Sequence, residues 1–499
     1  MSEMTQKDYE KIASELVYPT QAFIGGKFVD ALSGKKAVCL NPATAQPLAE
    51  VASCGAEDVD LAVSVARRTF ESGVWSKMHP SERSRILMAL ADSIEAHMQE
   101  LAVLESLNSG KPVSAVISAD LADTLAALRW HAAYADKRYD KLSPSGNGAV
   151  GMIVHEPIGV VACIIPWNFP IMTTMWKIAP ALAEGNSVIV KPASMTPVSI
   201  LRIAELAAEV GLPEGVLQII PGPGGVIGEA LGMHMDIDCI SFTGSTSVGR
   251  QLLEYSSKSN LKKIILELGG KSPMVILDDV KDYSAAVESA LVAAFSNSGQ
   301  NCTANSRIIV PNKRKEEFVS MMVEGLKQNW HLGNTLDPRT NLGSMISKGH
   351  YESVMGYINR GIEAGVRVAA GGKPYDMGYG YYIEPTIFVD PSLDSELVRE
   401  EIFGPVACVL GVDSNEEGIA MGNDTEYGLQ ASLFTDDLRN AHKYAHQLRA
   451  GTVSVNTYCE GDFSTPFGGL KMSGFGGQDK APTAHEQYCE TKTIFINLD

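Results

Sequence analysis

The spacing of apolar residues divides the chain into stretches of different period. Ala22–Ile24 and the pair Phe28 and Val29 flank Gly25-Gly26-Lys27, a pattern that predicts a hairpin. Helical spacing follows. Positions 57–71 carry one apolar face, and beyond Ser81 the residues Ile86, Leu87, Leu90, Ile94, Met98, Leu101 and Leu104 recur at three- and four-residue steps. Gly110-Lys111-Pro112 is the stop signal for that run.

From about residue 157 the pattern becomes short β-branched runs alternating with amphipathic helices. Strands are predicted at 160–165, 187–190, 216–220, 239–242 and 263–267, with helices at 171–184, 197–210, 226–231 and 245–255. Such a succession implies a doubly wound parallel α/β sheet, whose ligands lie beyond the carboxyl ends of the strands. A second α/β series follows: strand 273–277, helix 282–296, strand 307–310, helices 313–329 and 348–365, and strands 386–389, 406–411 and 452–455. The Gly-rich stretch 466–477 and a last strand, 491–497, look like an arm.

At 499 residues, two or three domains are expected. A net charge of −18 argues against nucleic acid or an anionic membrane as the main partner. The polar N-terminal segment resembles neither a signal nor a transit peptide. Eight scattered cysteines without a Cys-x-x-Cys pair suggest reduced thiols in a cytoplasmic protein and no metal site.

Five places carry candidate chemistry. In Phe242-Thr-Gly-Ser-Thr-Ser-Val-Gly249 a strand ends, Gly244 turns and a helix opens at Ser245. That helix N-terminus suits a diphosphate, although an ordinary serine N-cap reads the same way; Gly249 permits close packing one turn on. Lys191 closes an apolar strand, as a ribose ligand or simply as a solvated lysine. Cys302 sits among polar and small residues in Gly299-Gln-Asn-Cys-Thr-Ala304, a setting expected of a reactive thiol, with no histidine within twenty residues. Glu267 ends an apolar strand before two glycines, which requires a partner, a task or an outlet to water. Pro166-Trp-Asn-Phe-Pro170 is a rigid loop presenting the Asn168 amide.

Taken in order with Lys191-Pro192, Leu266-Glu-Leu-Gly-Gly-Lys271, Glu400-Glu-Ile-Phe-Gly-Pro405 and Pro466-Phe-Gly-Gly469, these motifs resemble the aldehyde dehydrogenase superfamily over nearly the whole chain. The resemblance implies a soluble NAD(P)-dependent enzyme that converts an aldehyde to a carboxylic acid. It makes Cys302 the nucleophile, Asn168 and the Cys302 backbone N–H the oxyanion donors, and Glu267 the base that hydrolyses the thioester. It assigns the cofactor to Lys191, Ser194, Gly244, Ser245, Gly249, Trp167, Glu401 and Phe403, and the aldehyde pocket to Phe169, Met172, Trp176 and Phe467. Cofactor binding is expected in 1–140 and 157–267, catalysis in 268–470, and an oligomerisation arm of a homodimer or homotetramer in 141–156 with 471–499.

Two departures stand out. Many NAD-using relatives carry glutamate three residues after the strand-end lysine. Here that residue is Ser194, which removes a charge that would repel a 2′-phosphate, so NADP is expected to be accepted and can be the preferred cofactor. The family's proton-relaying glutamate falls near Gly477-Gln-Asp479 without a clear match. Tyr458-Cys-Glu-Gly-Asp462 looks most like the branch acting on ω-amino- or γ-glutamylamino-aldehydes of polyamine catabolism, with Asp462 as a ligand for the substrate cation. An aromatic or medium-chain aliphatic aldehyde is the alternative, favoured by Phe169, Met172, Trp176 and Phe467. A Cys-dependent esterase or thioesterase would share Cys302, Asn168 and Glu267 but have no use for the turn at Ser245.

Overall fold

A computed structural model describes residues 4–498. Its centre is an eight-stranded sheet in the order Gly474–Phe475, Lys263–Glu267, Cys239–Thr243, Val160–Ile164, Ser187–Lys191, Leu217–Ile219, Ala22–Ile24, Lys27–Val29. The middle five strands are parallel, and Val160–Ile164 and Cys239–Thr243 are neighbours although two strand–helix units separate them in sequence. Their residues are apolar and β-branched almost throughout because helices cover both faces. The strand order reverses between these two, which opens a crevice at their carboxyl ends.

A second sheet runs Arg367–Ala370, Thr386–Val389, Val406–Val412, Arg307–Pro311, Pro273–Ile276, Gln430–Phe434, Thr452–Val455, all parallel except the first. A three-stranded antiparallel sheet joins Lys141–Ser143, Ala149–Pro157 and Cys489–Asn497. The doubly wound cofactor-type sheet, the second α/β unit and the small β arm expected from the sequence are thus all present.

Four local features differ from expectation. The helical run after Ser81 is two helices, Pro80–Ala96 and Met98–Ser109, broken where His97 leaves helical geometry at φ −103°, ψ 18°. The apolar period survives the break because both helices bury residues in one core. Residues 113–134, read as nothing in particular, form a helix with a π turn at Val116–Leu121. The unpredicted strand Gln430–Phe434 sits inside the second sheet; its Gln430 and Ser432 hydrogen-bond to Asn305 and Ser454, so its polar residues are buried in pairs. Residues 471–488 do not belong to the arm. Gly474–Phe475 pairs with Lys263–Glu267, and Asp479 reaches back to Lys177; only Cys489–Asn497 joins the three-stranded sheet. Among the described residues, no helix is long and apolar enough to cross a membrane.

Candidate active site

The crevice at the reversal of strand order is a cavity of ≈ 210 Å³ lined by Trp167, Asn168, Gly244, Ser245, Leu268, Gly269, Cys302, Glu401 and Phe403, with Pro166 and Thr243. Ser245 caps the helix Thr246–Lys258, its side chain accepting from the Val248 N–H at 3.4 Å. The free amides of that helix end, and its dipole, face the crevice side. Gly249 lies in the first turns of this helix, where a Cβ would come within 2.8 Å of Leu268; its smallness brings helix and sheet together.

Lys191 ends its strand almost fully buried, and among the described residues its ammonium has no hydrogen bond or ion pair. Burial alone brings it down to about 8. Ser194 donates its hydroxyl to the Gly222 carbonyl at 2.8 Å and brings no charge. Glu401 accepts from the Gly270 N–H at 2.8 Å and presses on Gly269, where a Cβ would lie 2.2 Å from its Oε2. Burial pushes its carboxyl up to about 7. Trp167 and Phe403 meet edge to face at 5.2 Å. A helix N-terminus, a buried lysine without a partner and a carboxylate beside an aromatic wall are the donor set a dinucleotide needs, so the residues fit that cofactor.

Cys302 is presented by a constrained turn. After the helix Ser284–Phe295, Asn297, Ser298 and Gly299 all adopt positive φ (52°, 54° and 70°), a conformation costing roughly 1–3 kcal/mol at each non-glycine position. At Gly299 a Cβ would collide with the Gly404 carbonyl at 2.0 Å. Asn297 holds the turn by donating to the Asn168 and Gln300 carbonyls, each at 3.1 Å, and Ser298 donates to the Gly343 carbonyl at 2.8 Å. Asn168 donates to the same Gln300 carbonyl at 3.1 Å, which leaves its second N–H for a ligand.

Cys302 is half-buried and lines both the crevice and a second, smaller cavity of ≈ 30 Å³ shared with Asn168, Glu267, Trp176, Phe467 and Asp479. The polar neighbours in sequence suggested a readily ionised thiol. The structure puts it well above its ordinary range: burial dominates, and the carboxylates of Glu460, Glu401 and Glu267 add to it.

Glu267 is buried at its strand end with neither carboxylate oxygen hydrogen-bonded. Burial raises its pKa well above normal, and Asp479 raises it further; Lys177 and the Gly469 backbone pull the other way. Asp479 is the acidic residue the sequence left unmatched. It sits 3.0 Å from Lys177, both buried, beside Glu267.

Beyond Phe169 and Met172 opens a vestibule of ≈ 660 Å³, walled by Asp120, Asp123, Phe463, Tyr458, Glu460, Lys111 and Lys480 among others. Asp462, expected to receive a substrate cation, does not line it. Asp462 is exposed and caps its own loop, accepting from the Ser464 N–H at 2.8 Å and hydroxyl at 2.6 Å. The acid of that loop that faces inward is Glu460, which accepts from Thr303 at 2.6 Å. Asp123 accepts from the Trp176 indole at 2.5 Å and is pushed by burial to about 6. Lys177, Asp479, Asp123, Glu460 and Lys480 were not singled out from the sequence. Asp123 lies in the helix that went unread, and Glu460 within a motif from which a different acid was taken.

Residues 28–494 match the Aldehyde dehydrogenase family. The chain is 47% identical to the aminoacetaldehyde dehydrogenase of Pseudomonas aeruginosa over 494 residues, covering 99% of each protein. It is 42% identical to the NADP/NAD-dependent aldehyde dehydrogenase PuuC of Escherichia coli K12, over 98% of this chain and 97% of that one. Its fold superposes with a TM-score of 0.97 on the P. syringae indole-3-acetaldehyde dehydrogenase AldA in complex with NAD+ and IAA, at 43% identity over 99% of this chain and 100% of the other.

Proposed function

This chain belongs to the aldehyde dehydrogenase family and oxidises aldehydes with NAD or NADP as oxidant, and we propose that Cys302, Glu267 and Asn168 perform the chemistry on an amino-aldehyde. The observation that carries the proposal is that these three side chains line one small cavity, which adjoins the crevice suited to the dinucleotide.

With its pKa held up, the Cys302 thiol needs a base at the moment of attack. Glu267 is placed to take that proton: its raised pKa makes it a strong base once its own proton has been passed on. The sulfur bonds to the aldehyde carbon, and the carbonyl π pair becomes an oxyanion that the second Asn168 N–H and the Cys302 backbone N–H receive. A nicotinamide cofactor held in the crevice would supply the acceptor for the hydride that leaves that carbon, two electrons and a proton together. A thioester then remains on Cys302. Glu267 first passes the thiol proton on towards Asp479 and, ionised again, removes a proton from water; the water oxygen bonds to the acyl carbon, the C–S bond breaks, the sulfur takes that proton back from Glu267 and the acid leaves. The cavity of ≈ 30 Å³ is wide enough for such a water. Asp479, bonded to Lys177 and facing Glu267, is the acceptor through which the proton departs.

Lys191, Ser245 and Glu401 would hold the ribose hydroxyls and diphosphate. Ser194, small and neutral, leaves room for a 2′-phosphate beside Lys191 and supports use of NADP. The amino-aldehyde reading is supported by Glu460 and Asp123 on the vestibule wall and by similarity to the P. aeruginosa aminoacetaldehyde dehydrogenase. An aromatic aldehyde is the second reading, favoured by Phe169, Met172, Trp176 and Phe467 and by similarity to the P. syringae enzyme. The exposed Phe495, Ile496 and Leu142 of the three-stranded sheet support a homo-oligomeric enzyme.

The test is cofactor reduction with aminoacetaldehyde, phenylacetaldehyde and hexanal, with NAD and NADP in parallel. The amino-aldehyde reading expects aminoacetaldehyde to lead in kcat/KM by about tenfold. A lead for phenylacetaldehyde would replace it with the aromatic one. Retained oxidation in Cys302→Ala would overturn the mechanism.

A further inference from the structure

Lys480 sets an ammonium into the vestibule wall with no acceptor from its own chain. The residue is 2% exposed, and among the described residues its Nζ makes no hydrogen bond or ion pair. Around it are ring faces instead: Trp176 at 4.2 Å, Phe463 at 5.1 Å and Phe467 at 5.6 Å from the ring centroids. Cation–π attraction offsets part of the cost of burying a charge, but it supplies no acceptor for the three N–H donors, which are left to whatever fills the vestibule.

The backbone is bent to put it there. Lys480 stands at φ +65°, ψ 175°, a region almost confined to glycine, and Ala481 follows at φ +56°. Two hydrogen bonds clamp the bend: the Phe467 N–H donates to the Asp479 carbonyl at 2.7 Å, and the Ala481 N–H to the Phe463 carbonyl at 3.0 Å. The result sends adjacent side chains into different chambers. Asp479 enters the cavity of Cys302 and Glu267, while Lys480 enters the vestibule.

Of the other charges there, Lys111 pairs with Asp120. Asp123 and Glu460 hold only neutral donors, the Trp176 indole and the Thr303 hydroxyl, and Asp123 lies close enough to feel the Lys480 charge without bonding to it. The aromatic faces that would welcome a substrate ammonium are occupied by Lys480 itself.

We propose that Lys480 is a specificity-determining residue that receives a carboxylate at the far end of the aldehyde, so that the enzyme favours an aldehyde carrying a distal carboxylate over one of the same length without it. This rests on aldehyde oxidation at Cys302, but not on the amino group, which would face Glu460 and Asp123 independently.

The experiment compares kcat/KM for succinic semialdehyde, butanal and aminoacetaldehyde in the full-length enzyme and in Lys480→Met and Lys480→Arg. In Lys480→Met the ratio of succinic semialdehyde to butanal should fall by about tenfold, carried by KM, as expected for a lost charged hydrogen bond. Lys480→Arg should retain most of it. A fall of less than roughly threefold in the Met variant, or an equal loss in the Arg variant, overturns the proposal. Should the Met variant not fold, succinate must compete with butanal in the wild-type enzyme; absence of competition overturns it as well. A poor wild-type ratio of aminoacetaldehyde to butanal would sink the amino-aldehyde reading alone, whereas failure of all three aldehydes would sink both.

Discussion

The Lys177 ammonium lies 3.0 Å from one oxygen of the Asp479 carboxylate, and both side chains are closed off from solvent. The other Asp479 oxygen is buried without a hydrogen bond, and the carboxylate is near enough to Glu267 to raise its pKa. An ion pair in such surroundings can cost more in lost hydration than it returns in structure, which suits the proton-transfer task proposed for Asp479.

Asp479→Asn tests that task. It removes the charge that helps keep the Glu267 proton on and leaves Lys177 to pull the proton off, so the pKa of Glu267 falls. The rising limb of the pH–kcat profile should therefore move to lower pH, even as kcat drops. The unpaired Lys177 should also cost about 3–5 kcal/mol of stability, visible in Tm. A limb that stays in place or moves upward refutes the coupling.

Cys302 should resist alkylation at neutral pH. With its thiol held well above the ordinary range by burial and nearby carboxylates, the iodoacetamide rate at Cys302, followed by mass spectrometry, should still be climbing at about pH 9. The exposed Cys459 should react first. A plateau for Cys302 near neutrality would mean the thiol is ionised at rest.

The sheet and the crevice were legible because both follow from local rules. Continuous β-branched strands alternating with amphipathic helices specify a parallel sheet, and the turn at Gly244 and Ser245 marks its ligand end. The chemistry of Cys302 was legible only as a motif. Its polar neighbours Gln300, Asn301 and Thr303 spend most of their polarity on one another, on Tyr458 and on the backbone; Asn301 accepts from the thiol at 3.8 Å, and burial with the carboxylates of Glu460, Glu401 and Glu267, which the string does not show, keeps that thiol protonated. Asp462 misled for the opposite reason: its carboxylate serves its own loop. Lys480 and Asp479 were illegible because their directions depend on a backbone bend that no period encodes.

Ser194→Glu should move the enzyme towards NAD. The substituted carboxylate would repel a 2′-phosphate and accept ribose hydroxyls instead. The kcat/KM ratio of NAD to NADP is expected to rise by about tenfold or more, mainly through a higher KM for NADP. An unchanged ratio would remove Ser194 from cofactor selection.

Gly269→Ala should damage cofactor binding without touching the nucleophile. The added methyl would sit 2.2 Å from the Glu401 carboxylate and drive it off the Gly270 N–H it now accepts. The KM for cofactor should rise about tenfold, as for a lost hydrogen bond to a charged group, with a smaller change in kcat. The reverse split would place Glu401 in the chemistry rather than in binding.

Glu267 carries a conflict between stability and activity that pH can expose. Its folded pKa is raised, so the folded protein binds this proton more tightly than the unfolded chain. That contribution is full below the unfolded value of about 4.5 and is lost as pH climbs towards the folded pKa, at about 1.4 kcal/mol per pH unit. Glu267→Gln has no proton to lose and escapes that slope. The variant should therefore be inactive yet gain Tm over the wild type, by an amount small near pH 5 and increasing steadily to pH 8. A Tm difference that is flat across this range would mean that Glu267 is ionised in the resting fold, and that its carboxylate is stabilised by something other than the Lys177 and Gly469 contacts around it.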